Sequence, residues 1–155
     1  MKIGPQFLQD IYKDSYTLIK TQVEGLNEAE SLVQPPGGGN CINWILGHLI
    51  VARCNFLTML DASSVWEMER CRRYIPGSAP VTSADDTLSI EIMRSDLDRT
   101  QNDLLSALVQ ATVESLQIIS GEKTKCEHLL IYNIHEAFHG GQLEILRQVL
   151  IHKHD

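Results

Sequence analysis

Apolar residues recur at helical spacing through four separate stretches of this chain. Leu8, Ile11, Tyr12, Ile19, Val23 and Leu26 share one stripe, which predicts a first helix from Gln6 to about Leu26. The run Gln34-Pro35-Pro36-Gly37-Gly38-Gly39 then stops any helix, because proline lacks a backbone donor and glycine is conformationally free. A second helix is expected with Asn40 as N-cap and an end near Leu60. Its inward stripe reads Cys41, Trp44, Ile45, His48, Val51, Ala52, Asn55 and Met59. A third helix is expected to start near Ser83, where Asp85 and Asp86 suit the positive end of the helix dipole. Ile90, Met93, Leu97, Leu104 and Leu108 give it one apolar side. Thr124-x-x-Glu127 is a capping box for a fourth helix that continues to about Ile151.

No alternating β pattern, internal repeat or low-complexity tract interrupts this scheme. Four amphipathic helices predict an all-α fold, a four-helix bundle occupying residues 1–155 as one domain. The connection from Asp61 to Thr82 is too long for a tight turn, so it is expected to cross the bundle.

Charge and composition narrow the function. The formal net charge of −7 disfavours nucleic acid and anionic membrane as partners. No apolar run reaches the roughly 18 residues of a membrane span. Met-Lys-Ile-Gly-Pro-Gln at the N-terminus carries no apolar h-region, so no signal peptide and a cytoplasmic location are expected. Cys41, Cys54, Cys71 and Cys126 form no Cys-x-x-Cys pair and read as free thiols.

The candidate chemistry lies in His135-Glu-Ala-Phe-His139-Gly-Gly-Gln142. Residues four apart share a helix face, so both imidazoles can reach one metal ion. With His135 at zero on the wheel, His139 lies at about +40°, Gln142 at about −20°, Ile131 at about −40° and Phe138 at about −60°. The histidines thus fall on the stripe read as interior, and His48 falls on the interior stripe of the second helix. A lone interior histidine is ordinarily satisfied by a neighbouring hydrogen bond. Three aimed at one bundle interior point to a metal held between facing helices. Trp44, Asn55, Gln142 and Glu136 are candidates to orient the ligands or touch a substrate. His128 is about 10 Å up the axis from His135 and is excluded. His152 and His154 belong to a solvated tail. Gly140 and Gly141 are expected on the outer flank, open to close approach by another helix or a second subunit.

The same segment matches His-Glu-x-x-His, the signature of zinc metalloproteases, with Glu136 as general base. The extension that would supply a third ligand is missing, since Gln142 and Ile145 stand where it needs Gly and His. On the wheel Glu136 is expected at the rim of the site. A ferritin-like di-iron centre needs two Glu-x-x-His pairs, and Glu136-x-x-His139 is the only one.

Asn40-Cys-Ile-Asn43-Trp44-Ile-Leu-Gly47-His48-Leu49, the Tyr74-Ile-Pro-Gly-Ser78 segment and His135-x-x-x-His139-Gly-Gly-Gln142-Leu-Glu-Ile-Leu-Arg147 together resemble the DinB/YfiT-like metalloenzyme superfamily. The resemblance spans nearly the whole chain. It implies a bundle with a long crossover, often homodimeric, holding a divalent metal (nickel or zinc) on His48, His135 and His139. It also implies chemistry such as S-transfer with a low-molecular-weight thiol, or hydrolysis, on a small-molecule substrate. Arg70, Arg72 and Arg73 in the crossover could hold carboxylates of such a thiol, or form a solvated loop; Cys41 reads as packing. A non-catalytic metal-binding stress-response or binding module is the alternative from another class.

Overall fold

The computed structural model describes residues 3–151. Four long helices form the bundle: α1 (Pro5–Val23), α3 (Ile42–Met59), α5 (Ile90–Gln110) and α7 (Lys125–Ile151). Short helices α2 (Glu28–Ser31), α4 (Met68–Cys71) and α6 (Val113–Leu116) lie in the connections. A two-residue hairpin, β1 (Ile119–Ser120) with β2 (Lys123–Thr124), pairs antiparallel just before α7. Helix α1 packs on α5 and α7, and α3 packs on the same two, so α1 and α3 sit across the bundle from each other.

The helix ends show where side chains compete with pattern. The first helix ends at Val23, because Gly25 turns the chain at φ 74° before Leu26. Thr124 caps α7 as its sequence predicts: its N–H donates to Glu127 Oε2 at 2.7 Å, and the Glu127 N–H donates to Thr124 Oγ1 at 3.1 Å. Cys41, not Asn40, is the N-cap of α3, since Cys41 is still extended at ψ 170°. The third long helix starts at Ile90, seven residues beyond Ser83, with Ser89 Oγ accepting from the Ile92 N–H at 3.3 Å. Asp85 and Asp86 sit instead in a 3₁₀ turn, Ala84–Asp86. Leu88 is held out of the helix by two bonds. Its N–H donates to Tyr74 Oη at 3.1 Å, and its carbonyl accepts from Asn43 Nδ2 at 2.9 Å.

Helix α3 is buried on all sides from Ile42 to Cys54, so a one-sided stripe understates it. The crossover covers its outer face with Trp66, Cys71, Tyr74 and Val81. Tyr74 lies directly on Gly47, where a Cβ would stand 2.3 Å from the ring. Gly140 is likewise buried, and a Cβ there would stand 2.6 Å from Leu18 of α1. The close approach expected at Gly140 is therefore to this chain's own first helix, while Gly141 faces open space.

Candidate metal centre

Helix α7 carries two apolar stripes with the histidines between them. The buried stripe runs through Leu129, Glu136, Gly140, Leu143 and Leu150, centred about 100° from His135 on the wheel. The other stripe is exposed: Ile131 46%, Ile134 70%, Phe138 62% and Ile145 63%. Ile131 and Phe138, expected on the interior stripe, are therefore exposed; counting them as core displaces the expected buried face away from Glu136. His135 and His139 are half-buried on the boundary, and His48 is buried.

The three imidazoles converge through one nitrogen each. His135 Nε2 lies 3.0 Å from His48 Nε2 and 3.1 Å from His139 Nε2. The far nitrogens of two rings are tied back. His48 Nδ1–H donates to the Tyr74 carbonyl at 2.8 Å, and His139 Nδ1–H donates to Gln142 Oε1 at 2.6 Å. Because a carbonyl only accepts, the first bond fixes the tautomer of neutral His48 and leaves a bare Nε2 lone pair facing the other rings. His135 Nδ1 is buried with no hydrogen-bond partner among the described residues. Trp44 stacks on His48 with centroids 5.0 Å apart at 15°, and its Nε1–H donates to Ser78 Oγ at 2.9 Å. Tyr132 meets His135 edge-on at 6.1 Å, and Phe138 meets His139 at 5.2 Å.

Burial, with the neighbouring His139 and His48 adding to it, pushes His135 down to about 4. Burial also lowers His139, against the bond to Gln142, which raises it. Neutral imidazoles are the metal-ligating form. Nitrogens about 2.0–2.1 Å from one cation stand about 2.9 Å apart at a right angle and about 3.4 Å apart at the tetrahedral angle. The observed 3.0 and 3.1 Å fall within that span. The site fits a divalent ion, and His48, His135 and His139 are the residues that could hold it.

Glu136 is not at the rim. It is fully buried, as is Arg53 of α3. Arg53 Nε donates to Glu136 Oε1 at 2.8 Å and Nη2 to Oε2 at 2.9 Å, while Nη1 donates to Gln101 Oε1 at 2.7 Å. Ser15 Oγ also donates to Glu136 Oε2. Its carboxylate is fully engaged with these partners and is not part of the histidine cluster, so it is not placed as the general base of a His-Glu-x-x-His protease. Sequence reasoning missed Arg53, although its signal was available: a single cation within the otherwise apolar run Leu49–Cys54 needs a buried counter-charge.

Other candidates disperse. Asn55 is exposed, two helical turns beyond His48, and is not brought to the histidines. Arg70 sits over Trp66 and 4.0 Å from Asp96, and Arg73 Nη2 donates to the Pro80 carbonyl at 3.1 Å. Arg72 is exposed. Cys41 Sγ packs 3.6 Å from the Val81 carbonyl, with burial raising its thiol. His128 bonds the Ser120 carbonyl at 2.7 Å, away from the triad. His152 and His154 lie outside the described residues.

The fold is an all-α bundle in which three histidines converge from two helices, α3 and α7, on a cluster that could hold a metal ion. The sequence profile of the DinB superfamily matches residues 12–143, and the chain belongs to that superfamily. A conserved protein from Enterococcus faecalis, known from its crystal structure, has a similar fold with a TM-score of 0.73 and 14% identity, over 97% of this chain and 98% of that one. No curated protein matches the chain in sequence. Among the described residues no helix is long and apolar enough to cross a membrane.

Proposed function

We propose that this protein is a divalent-metal-dependent enzyme that activates a low-molecular-weight thiol, or water, for attack on a small electrophilic substrate. The observation that carries this reading is the convergence of three Nε2 atoms with no fourth protein ligand among the described residues. Three neutral ligands leave coordination positions open, the arrangement of catalytic rather than structural sites. Nickel or zinc suits an all-imidazole donor set. When bound, the ion supplies Lewis acidity, which makes a thiol or a water nucleophilic near neutral pH.

The chain's own residues do the rest. The Tyr74 carbonyl and Gln142 hold two ligand rings by their far nitrogens and raise their basicity. Trp44, Tyr132 and Phe138 wall the rings and limit solvent. In S-transfer, sulfur bonds to the electrophilic carbon, the leaving group departs with its electron pair, and the thiol proton passes to solvent. The four exposed apolar residues of α7 support a homodimer in which that stripe is covered by a second copy. The reading places the protein in the cytoplasm as one domain over residues 1–155.

Elemental analysis of untagged protein, beside a screen of thiol transfer to electrophiles and of peptide hydrolysis, tests this. One equivalent of nickel or zinc with thiol transfer or small-molecule hydrolysis supports it. A metal that binds with all positions filled by protein favours a non-catalytic module, and cleavage of peptides overturns the choice of reaction.

A further inference from the structure

A cavity of about 300 Å3 lies between the glycine-rich loop, residues 35–40, and helix α7. Its wall includes Gly38, Gly39, Asn40, Ile45, Gln142 and Ile145. Gln142 is the residue whose Oε1 accepts the His139 Nδ1 proton, so the cavity and the histidine cluster share a side chain. We propose that this cavity receives the uncharged body of the substrate, and that Gln142 presents its carboxamide N–H groups to a hydrogen-bond acceptor on that substrate, such as a carbonyl or ether oxygen.

The first support is the orientation of Gln142. A His139 that offers Nε2 to a metal must carry its proton on Nδ1, which requires Gln142 to turn its oxygen, not its nitrogen, toward the ring. The carboxamide nitrogen then points away from the ring on a residue that lines the cavity, with two donors to offer.

The second is the chemistry of the wall, which contains no ionisable side chain. An ammonium or carboxylate moved there would lose part of its hydration without gaining a counter-charge. A neutral group loses nothing of the kind and gains apolar contact with Ile45, Ile145 and Leu146. The volume has room for about ten water-sized groups, the size of a small aryl or acyl moiety.

The third is the loop. Gly37, Gly38 and Gly39 have φ of 89°, 92° and 120°, a region that side-chain-bearing residues rarely adopt. Gly38 and Gly39 therefore offer only backbone to that wall, between Pro35 and Asn40, and a Cβ at Gly38 would meet nothing within 4 Å. At these two positions no side chain stands between the backbone and a neutral group held in the cavity.

The catalytic meaning of this cavity rests on the metal-dependent reading, but binding to it does not. The test therefore uses both metal-free and zinc-loaded protein, titrated with benzamide and separately with benzoate. Backbone amide shifts of Gly38 and Gly39 and the side-chain amide of Gln142 are followed by NMR. Benzamide is expected to shift these signals in both states, with a Kd at least tenfold below that of benzoate. In Gln142→Glu a carboxylate oxygen still accepts the His139 proton while both donors are gone. In the metal-free state that variant is expected to bind benzamide at least tenfold more weakly. Benzoate shifting the loop amides as readily, shifts falling elsewhere, or unchanged benzamide binding in Gln142→Glu would overturn the assignment. Failure of the wild-type protein to take up either zinc or nickel, with benzamide still shifting the loop, would keep the cavity and overturn the metal-dependent reading.

Discussion

Helices α3 and α7 enclose two polar centres close together, and the two are built on opposite principles. At the Arg53–Glu136 pair both carboxylate oxygens and the guanidinium nitrogens find partners within the protein. At the histidines, the anchored rings are satisfied only on their far side, and their near nitrogens face one another. A saturated buried group holds helices together. A buried group whose lone pairs converge on one point is arranged for something else. Sequence adjacency hides the contrast, because His135 and Glu136 are neighbours and point to different sides of one helix.

The largest expected effect breaks the saturated centre. Arg53→Ala leaves Glu136 buried and unpaired and is expected to cost about 3–5 kcal/mol of stability in urea denaturation. Replacing both partners with apolar residues of similar volume, Arg53→Met with Glu136→Leu, should recover most of that loss. A double variant as unstable as Arg53→Ala alone would show that the charges do more than satisfy each other.

At the other centre the stability effect should be small and the binding effect large. His135→Ala is expected to weaken metal at least a hundredfold, about 2.7 kcal/mol, in competition with a chromogenic chelator. Helix content by circular dichroism should stay close to that of the native protein, because no apolar stripe depends on this ring. Unfolding on metal removal would place the triad with the structural centres instead.

Glu136→Gln sharpens the same contrast. The carboxylate is engaged by Arg53 and Ser15 and not by the histidine cluster, so turnover per folded molecule should change less than about tenfold, ~1.4 kcal/mol, even though stability falls. Abolished turnover with metal retained would return Glu136 to the role of general base.

Acid gives a graded test on metal-free protein. The native pKa of His135, about 4, lies below the roughly 6.5 of an exposed histidine. Across that interval the unfolded chain binds more protons than the native one, so stability rises with pH and is lost as pH falls from about 6.5 toward 4. His139, also lowered, adds to the slope. His135→Ala with His139→Ala should flatten it; an unchanged slope would assign acid sensitivity elsewhere. The smallest effect is expected at Asn55, where substitution by Ala should alter stability by less than about 0.5 kcal/mol and leave metal affinity unchanged.

Periodicity made four helices legible, and the Thr124–Glu127 capping box marked the start of the last. The four-residue spacing and the family motifs singled out His48, His135 and His139. Three things were not legible, each for a physical reason. The start of α5 depends on Leu88 bonding to Tyr74 and Asn43, which are distant in sequence. The buried face of α7 was misplaced because its exposed isoleucines and Phe138 look like core in a pattern that registers polarity alone. The anchor of His48 is a backbone carbonyl, which any residue at position 74 would possess.

That anchor makes Gly47 a control point for its neighbour. Tyr74 can offer its carbonyl to His48 because its ring packs into the space where position 47 has no side chain. A methyl group at 47 would lift the crossover off the helix and release the His48 ring to rotate or to change tautomer, without touching any ligand atom. If the triad holds a metal as proposed, Gly47 is a position in the helix from which the connecting segment could alter that site while all three histidines stay in place.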